Sequence, residues 1–199
     1  MKETGNKSTA AKHGPDRTKA LIASWDTCVF LSWIKSEPRH PSETSGIQAV
    51  AKQIEAGEII LITSALTRAE IFQGRLSRAE KEKLSRFLRR SNVYTLALDD
   101  RVADLVSEIR EFYCSTDFEL LTPDAIHVAT AIHYNADEFQ TFDGSDPNRK
   151  PRDKAKKRCG LLLLDGSPIA DKHSLRIRKP NAFQLDLLAN VTDSLQLGP

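Results

Sequence analysis

Cysteine is scarce in this 199-residue chain, and the three present are not paired in any recognisable way. Cys28, Cys114 and Cys159 are odd in number and form no CxxC motif. That argues against a disulfide scaffold and a zinc knuckle, and it points to a reducing cytoplasm. Long apolar runs are missing too. The longest, Ile59–Ile62 and Leu161–Leu164, fall far short of the roughly 20 residues a membrane helix needs, so no membrane association is expected. The first 19 residues are charged and contain no apolar segment, which excludes a secretory signal there. Neither GxGxxG nor GxxxxGK[ST] occurs, so dinucleotide and P-loop sites are unsupported. GxSxG is absent as well.

The composition itself is that of a soluble globular domain, 40% hydrophobic and 28% charged. At this length a compact chain buries well over half of its unfolded surface without a staple. The net charge of +2 conceals an asymmetry. Residues 20–148 carry 13 Lys and Arg against 20 Asp and Glu, whereas residues 149–180 carry 11 against three. An acidic body followed by a basic segment is a functional clue.

Along the chain, short apolar strands alternate with amphipathic helices. ALIASWD (20–26) reads as a buried strand ending in an acid, followed by a helical TCVFLSWI. EPRHPSETSG reads as turns, after which Ile47, Val50, Ala51 and Ile54 mark one face of a helix that stops at Gly57. EIILIT (58–63) is a strand, Ala65–Phe72 a helix, RAEKEKLSRFLRR a helix with a charged outer face, and VYTLAL (93–98) a strand. Asp99 or Asp100 caps a helix carrying Val102, Leu105, Val106 and Ile109. Thr122-Pro123-Asp124 opens a further helix, with Thr at the N-cap and Pro at the first helical position. Its body, AIHVATAI, is apolar nearly all round and so belongs in the core. EFQTFD (138–143) and GLLLLD (160–165) complete a set of five strands. This alternation predicts an α/β fold, a three-layer α/β/α sandwich around a central, mainly parallel sheet. The expected organisation is a flexible arm over 1–19, a domain over 20–170 with a basic insertion at about 144–159, and a tail over 171–199.

Open parallel sheets bind ligands beyond the carboxyl ends of their strands. Acids fall at those places: Asp26 after the first strand, Asp143 after the fourth, Glu70 in the helix after the second, and Asp124 at the start of the helix leading to the fourth. Each acid alone has an ordinary explanation as a cap, a first-turn acid, a surface residue or a turn former. Together they describe a self-repelling cluster, which recruits a cation. A set of oxygen ligands suits Mg2+ or Mn2+ better than zinc. Asp146 is an extra candidate ligand, with a turn as the competing explanation.

These pieces also carry a family resemblance. WDTCVFL, LTRAEI, TPDAIHVATAI and the TFD strand end resemble, in order and spacing, the PIN-domain proteins, close to the VapC-type toxin ribonucleases. The resemblance covers about residues 20–143, and the insertion and tail exceed the usual compact toxin. It implies that Asp26, Glu70, Asp124 and Asp143 are the metal-binding catalytic acids, supported by the hydroxyls of Thr27 and Thr141. It further implies a homodimer and, for a toxin, a neutralising antitoxin that occludes the acids.

The basic run RKPRDKAKKR (149–158) reads either as a solvated loop or as a phosphate-tracking patch supplied by Lys150, Arg152, Lys154, Lys156, Lys157 and Arg158. Arg68 and Arg75 flank Glu70 and are candidates to position a phosphate, with surface ion pairs as the alternative. His127 and His133 share the helix of Asp124, where a hydrogen-bonded core histidine is favoured over a ligand. Cys28 reads as a packed thiol. The expected activity is metal-dependent endoribonucleolytic hydrolysis of RNA. The alternatives are a degenerate PIN domain that binds RNA or protein without cutting, and a haloacid-dehalogenase phosphatase. The latter family wants a second Asp two residues after the first, where this chain has Cys28.

Overall fold

The computed structural model describes residues 21–73, 76–114, 118–144, 157–158 and 160–180. Its elements run β1 (Leu21–Trp25), α1 (Thr27–Lys35), α2 (Pro41–Ala56), β2 (Ile59–Ser64), α3 (Ala65–Gln73), α4 (Arg78–Leu88) and β3 (Val93–Leu96). They continue with α5 (Asp100–Cys114), β4 (Phe118–Glu119), α6 (Thr122–His133), β5 (Glu138–Gln140), β6 (Lys157–Arg158), a 3-10 turn at Leu161–Leu164, α7 (Pro168–Lys172) and β7 (Arg176–Arg178). Five strands form one sheet in the order β3-β2-β1-β5-β7, and every pairing is parallel. The α/β fold expected from the sequence is therefore present.

Strand alternation divides the core between the two faces. Ala23, Trp25, Leu61 and Val93 face α1, α2 and α4, where they pack with Phe30, Ile54 and Phe87. Ile62, Phe139 and Ile177 face α5 and α6, packing with Val102, Ile109 and Val128. Trp25 stacks on Phe87 with ring centroids 5.8 Å apart and meets Phe30 edge-on at 5.1 Å. Its indole N–H donates to Gln140 Oε1 on β5 at 2.8 Å. The residue immediately before Asp26 is thus fixed from both sides.

Several local expectations shift. The GLLLLD segment is not a strand. Leu161 and Leu164 are buried while Leu163 is 62% exposed, the three-residue period of a 3-10 turn. Four consecutive leucines have no period that separates this from a buried strand. The fifth strand is β7, inside the stretch expected to be a tail. Its Arg176 pairs at 3.2 Å with Glu138, which is 1% exposed on β5. Residues 41–46, expected as turns, open α2 with Pro41 in its first turn. On α6, Leu121 rather than Thr122 stands at the N-cap, so Asp124 sits one position deeper. Asp99, not Asp100, caps α5, its Oδ1 accepting from Val102 N–H at 2.9 Å. Strand β5 stops at Gln140, three residues before Asp143.

Candidate active site at the carboxyl edge of the sheet

Asp26 follows β1 directly, and its backbone N–H still donates to Gln140 O, extending the β1–β5 ladder by one step. The residue is 7% exposed, and its side chain is held by three donors. Oδ1 caps α1 by accepting Thr27 N–H at 2.6 Å. Oδ2 accepts the Thr141 hydroxyl at 2.7 Å and the Cys28 thiol at 3.0 Å. Burial, followed by the charge of Asp26, pushes the Cys28 thiol well above its usual range. Cys28 is therefore a donor to Asp26, not a nucleophile.

Glu70 reaches the same place from α3. Its Oε2 accepts the Thr27 hydroxyl at 2.5 Å and lies 3.0 Å from His127 Nε2 on α6. The hydroxyls behind it form an ordered chain: Thr67 lies 2.8 Å from Thr63, and Thr63 donates to the Trp25 carbonyl at 3.1 Å. A hydroxyl has one proton, and Thr27 gives its proton to Glu70, so the 3.4 Å approach of Thr27 to Thr67 is weak.

His127 is 2% exposed, and its Nε2 sits 3.0 Å from Glu70 and 3.8 Å from Asp26 Oδ1. Burial alone pushes the imidazole down. The hydrogen bond to Glu70 and the charges of Asp26, Glu70 and Asp124 outweigh it and hold the ring above its ordinary value. For Glu70, burial pushes upward, but the His127 and Thr27 hydrogen bonds and the His127 charge prevail and hold the carboxyl below its ordinary value. The two directions agree: each group favours the charged form of the other. Sequence reasoning made His127 a core histidine and overlooked that it joins two carboxylates. The available signal was its position one turn after Asp124.

Asp124 lies half-buried in the first turn of α6, one turn before His127. Asp143 is half-buried at the rim, and its backbone N–H donates to Thr141 Oγ1 at 3.0 Å. Its Oδ2 accepts Leu161 N–H at 3.2 Å and its carbonyl accepts Leu162 N–H at 3.1 Å. The chain that departs at Gly144 returns at Gly160 against it: a Cβ on Gly160 would lie 2.4 Å from Gly144 Cα. Thr141 thus joins the two acids, accepting from Asp143 N–H and donating to Asp26.

Among the described residues no three His, Cys, Asp or Glu side chains stand close enough together to form a metal cage. Their chemistry nonetheless fits a hard divalent cation. The donors are carboxylate oxygens, and the space between Asp26 and Glu70 is lined so that a positive group, here the His127 ring, bridges them. Arg68 is exposed and lines a depression between α3, α4 and β3 instead of the acid pocket. Asp146, Arg75, Lys150, Arg152, Lys154 and Lys156 lie outside the described residues. Lys157 and Arg158 form β6, whose backbone pairs parallel with Phe118–Glu119, shortly before α6.

These features define a class: an open parallel α/β sheet with a carboxylate site beyond its carboxyl edge. The PIN-domain family model matches residues 25–149, more than half of the chain, and the protein belongs to the PIN-domain family, whose members are generally nucleases. No curated protein sequence matches it. Among solved structures, the chain is similar to VapBC2 from Rickettsia felis bound to a DNA fragment from their promoter, at 19% identity and TM-score 0.47, covering 61% of this chain and 87% of that one. It is similar to a toxin–antitoxin complex from Klebsiella pneumoniae at 22% identity and TM-score 0.44, covering 65% and 92%. It is also similar to FitAcB from Neisseria gonorrhoeae at 22% identity and TM-score 0.44, covering 61% and 87%. Among the described residues no helix is long and apolar enough to cross a membrane.

Proposed function

We propose that the protein is a metal-dependent endoribonuclease of the PIN family, the toxin of a toxin–antitoxin pair, acting in the cytoplasm as a homodimer. The observation that carries the reading is the buried Asp26–His127–Glu70 arrangement at the carboxyl edge of the sheet, within the segment matched as a PIN domain. Asp26, Glu70, Asp124 and Asp143 would hold Mg2+ or Mn2+. Such an ion supplies Lewis acidity at a phosphate and an activated water near neutral pH.

The chain's own groups do the positioning. Thr27, Cys28 and Thr141 fix both oxygens of Asp26, which leaves about one of its four lone-pair positions open toward the site. Thr27 and His127 orient Glu70 and keep it ionised. His127 is unsuited to accept a proton from a 2′-hydroxyl, because it is buried and turned toward Glu70. His133 lies at the far end of α6, nine residues from Asp124 or about 14 Å along the axis. Neither histidine supports the route through a cyclic phosphate. The backbone of Lys157 and Arg158, the last two residues of the basic run, pairs in β6 beside the approach to α6, and cations in that run would attract RNA phosphates.

End-group mapping on a cleaved RNA tests the reading. We expect 5′-phosphate and 3′-hydroxyl ends, lost in EDTA and lost in Asp26→Asn. Cyclic-phosphate ends formed in EDTA by the wild-type protein, and absent with Asp26→Asn, would overturn it.

A further inference from the structure

Of the 13 cations in residues 20–148, six lie within residues 78–90, a stretch that holds only two acids. They belong to α4 and the two residues that follow it. This helix has two sides of different character. On the inner side, Lys83 donates to the Trp33 carbonyl at 3.1 Å with its ammonium 4.1 Å from the centre of the Trp33 ring, and Arg90 donates to the Glu55 carbonyl. Those two cations are committed to packing. On the outer side, Arg78, Lys81, Ser85 and Arg89 recur at i, i+3, i+7 and i+11, a single stripe about 16 Å long, with Arg86 beside it. Arg78 is 92% exposed and meets Glu82 in a surface pair of little strength. Lys81, Arg86 and Arg89 are exposed and have no ion-pair or hydrogen-bond partner among the described residues.

The stripe continues onto α3. A depression of about 460 Å³ is floored by Ile71, Leu76, Leu84 and Leu88 and rimmed by Arg68, Lys81 and Arg89. A second depression along α4 shares Lys81, Ser85 and Arg89 with it and adds Arg78, Arg86 and one acid, Glu82. Arg68 is exposed and also lacks a partner among the described residues; two positions from Glu70 on the same helix, it points to a different side of α3. The rest of residues 20–148 holds seven cations against 18 acids, a field that repels a polyanion. A row of exposed, unneutralised cations is what releases counterions from a phosphodiester backbone. An apolar floor beside such a row accommodates the faces of unpaired bases.

We propose that the outer face of α4, together with Arg68, is a docking track for single-stranded RNA, set apart from the acid pocket. The proposal rests on the nuclease reading above and names a surface that reading does not require. The test measures binding of a fluorescent single-stranded RNA by full-length protein carrying Asp26→Asn, so that the RNA stays uncut, over a range of salt. Adding Lys81→Gln, Arg86→Gln and Arg89→Gln should weaken binding about tenfold and reduce the salt slope by about two, at roughly 0.7 per lost contact. The control variant Lys52→Gln, Arg101→Gln, Arg110→Gln removes the same charge from exposed positions elsewhere and should change little. Equal losses in the two variants would reduce the effect to net charge and overturn the track. Unchanged affinity and slope in the α4 variant, with RNA still bound and wild-type cleavage intact, would overturn the track and leave the nuclease standing. RNA binding kept while binding of poly-L-glutamate is lost would assign the row to an acidic protein and overturn the RNA proposal. A wild-type chain that neither binds nor cuts RNA would overturn both.

Discussion

The two ends of the candidate site are built differently. At the inner end, Asp26 and Glu70 are held by side chains: Thr27, Cys28, Thr141 and His127 all aim hydrogen-bonding groups at them, and all but Cys28 are buried. At the rim, Asp143 is held by backbone: the N–H groups of Leu161 and Leu162 reach it only because Gly144 and Gly160 let two chain segments pass in contact. The inner end is preorganised by packing and survives as long as the core does. The rim is organised by the approach of Gly160 to Gly144, so its geometry depends on that contact. Thr141 is the joint between them, since one hydroxyl serves both acids.

The largest effect is expected from breaking the inner end. Asp26→Asn removes the carboxylate charge, and an amide nitrogen in place of Oδ2 can accept from neither Thr141 nor Cys28. RNA cleavage should fall at least about a thousandfold, a barrier increase near 4 kcal/mol, while circular dichroism remains native. Cleavage within tenfold of wild type would remove Asp26 from the chemistry. Cutting the joint should cost less. Thr141→Val leaves Asp26 Oδ2 one donor short and orphans Asp143 N–H, so we expect a loss of about 1–3 kcal/mol in stability and about 10–100-fold in cleavage. Thr141→Ser keeps the hydroxyl and should restore most of both. Equal behaviour of the Val and Ser variants would show that the two ends are independent.

Breaking the rim alone should be milder still. In Gly160→Ala the new Cβ would stand 2.4 Å from Gly144 Cα and 3.0 Å from Gly144 N. Both contacts are backbone, so the Gly144 and Gly160 segments must part to relieve them. Overpacking of this kind costs about 1–3 kcal/mol, or about 2–4 °C of melting temperature per kcal/mol at this chain length. Cleavage should drop by up to about tenfold, and the inner-end hydrogen bonds should persist. Thermal melting and cleavage rates check both. A melting temperature equal to wild type would show that the Gly144 and Gly160 segments part at no cost.

The difference between the two ends also explains what was legible in the sequence. Asp26 after a short apolar strand and Asp124 in the first turn of an apolar helix were readable because strand ends and helix starts leave local signatures. Asp143 was placed at a strand end, but β5 stops at Gln140 and the acid is carried on an extended segment held by its own partners. The edge strand was misread because apolarity pointed to LLLL, whereas the position beside β5 is filled by Arg-Ile-Arg. Its Arg176 answers Glu138, a buried carboxylate whose partner lies 38 residues away and is invisible to local pattern. His127 was readable as buried but not as a bridge, since its role depends on α3 and α6 meeting across the sheet edge. The charged outer face of α4 was visible as a pattern, but its concentration of unpaired cations emerged only when Lys83 and Arg90 were seen turned inward.

The smallest effect is expected from titrating the inner end, and its sign follows from the two shifts. His127 titrates above its ordinary 6.5 in the folded chain, so the stability it contributes is complete below 6.5 and is lost as pH rises through its folded value. Glu70 titrates below its ordinary 4.5, so its contribution is complete above 4.5 and is lost as pH falls through its folded value. Both contributions are present together between about 4.5 and 6.5, where an ionised carboxylate faces an imidazolium. In EDTA, the melting temperature of the wild type should therefore exceed that of His127→Gln by its widest margin inside that window. The margin should narrow toward alkaline pH as the ring loses its proton, and toward acid as Glu70 gains one. The comparison with the mutant is essential, because other carboxylates also titrate on the acid side. Gly160→Ala should show the same margin against Gly160→Ala/His127→Gln, because the rim takes no part in the pair. A margin that is flat from pH 4 to 9 would mean that the charge of His127 adds nothing to the fold and would overturn the ion pair with Glu70.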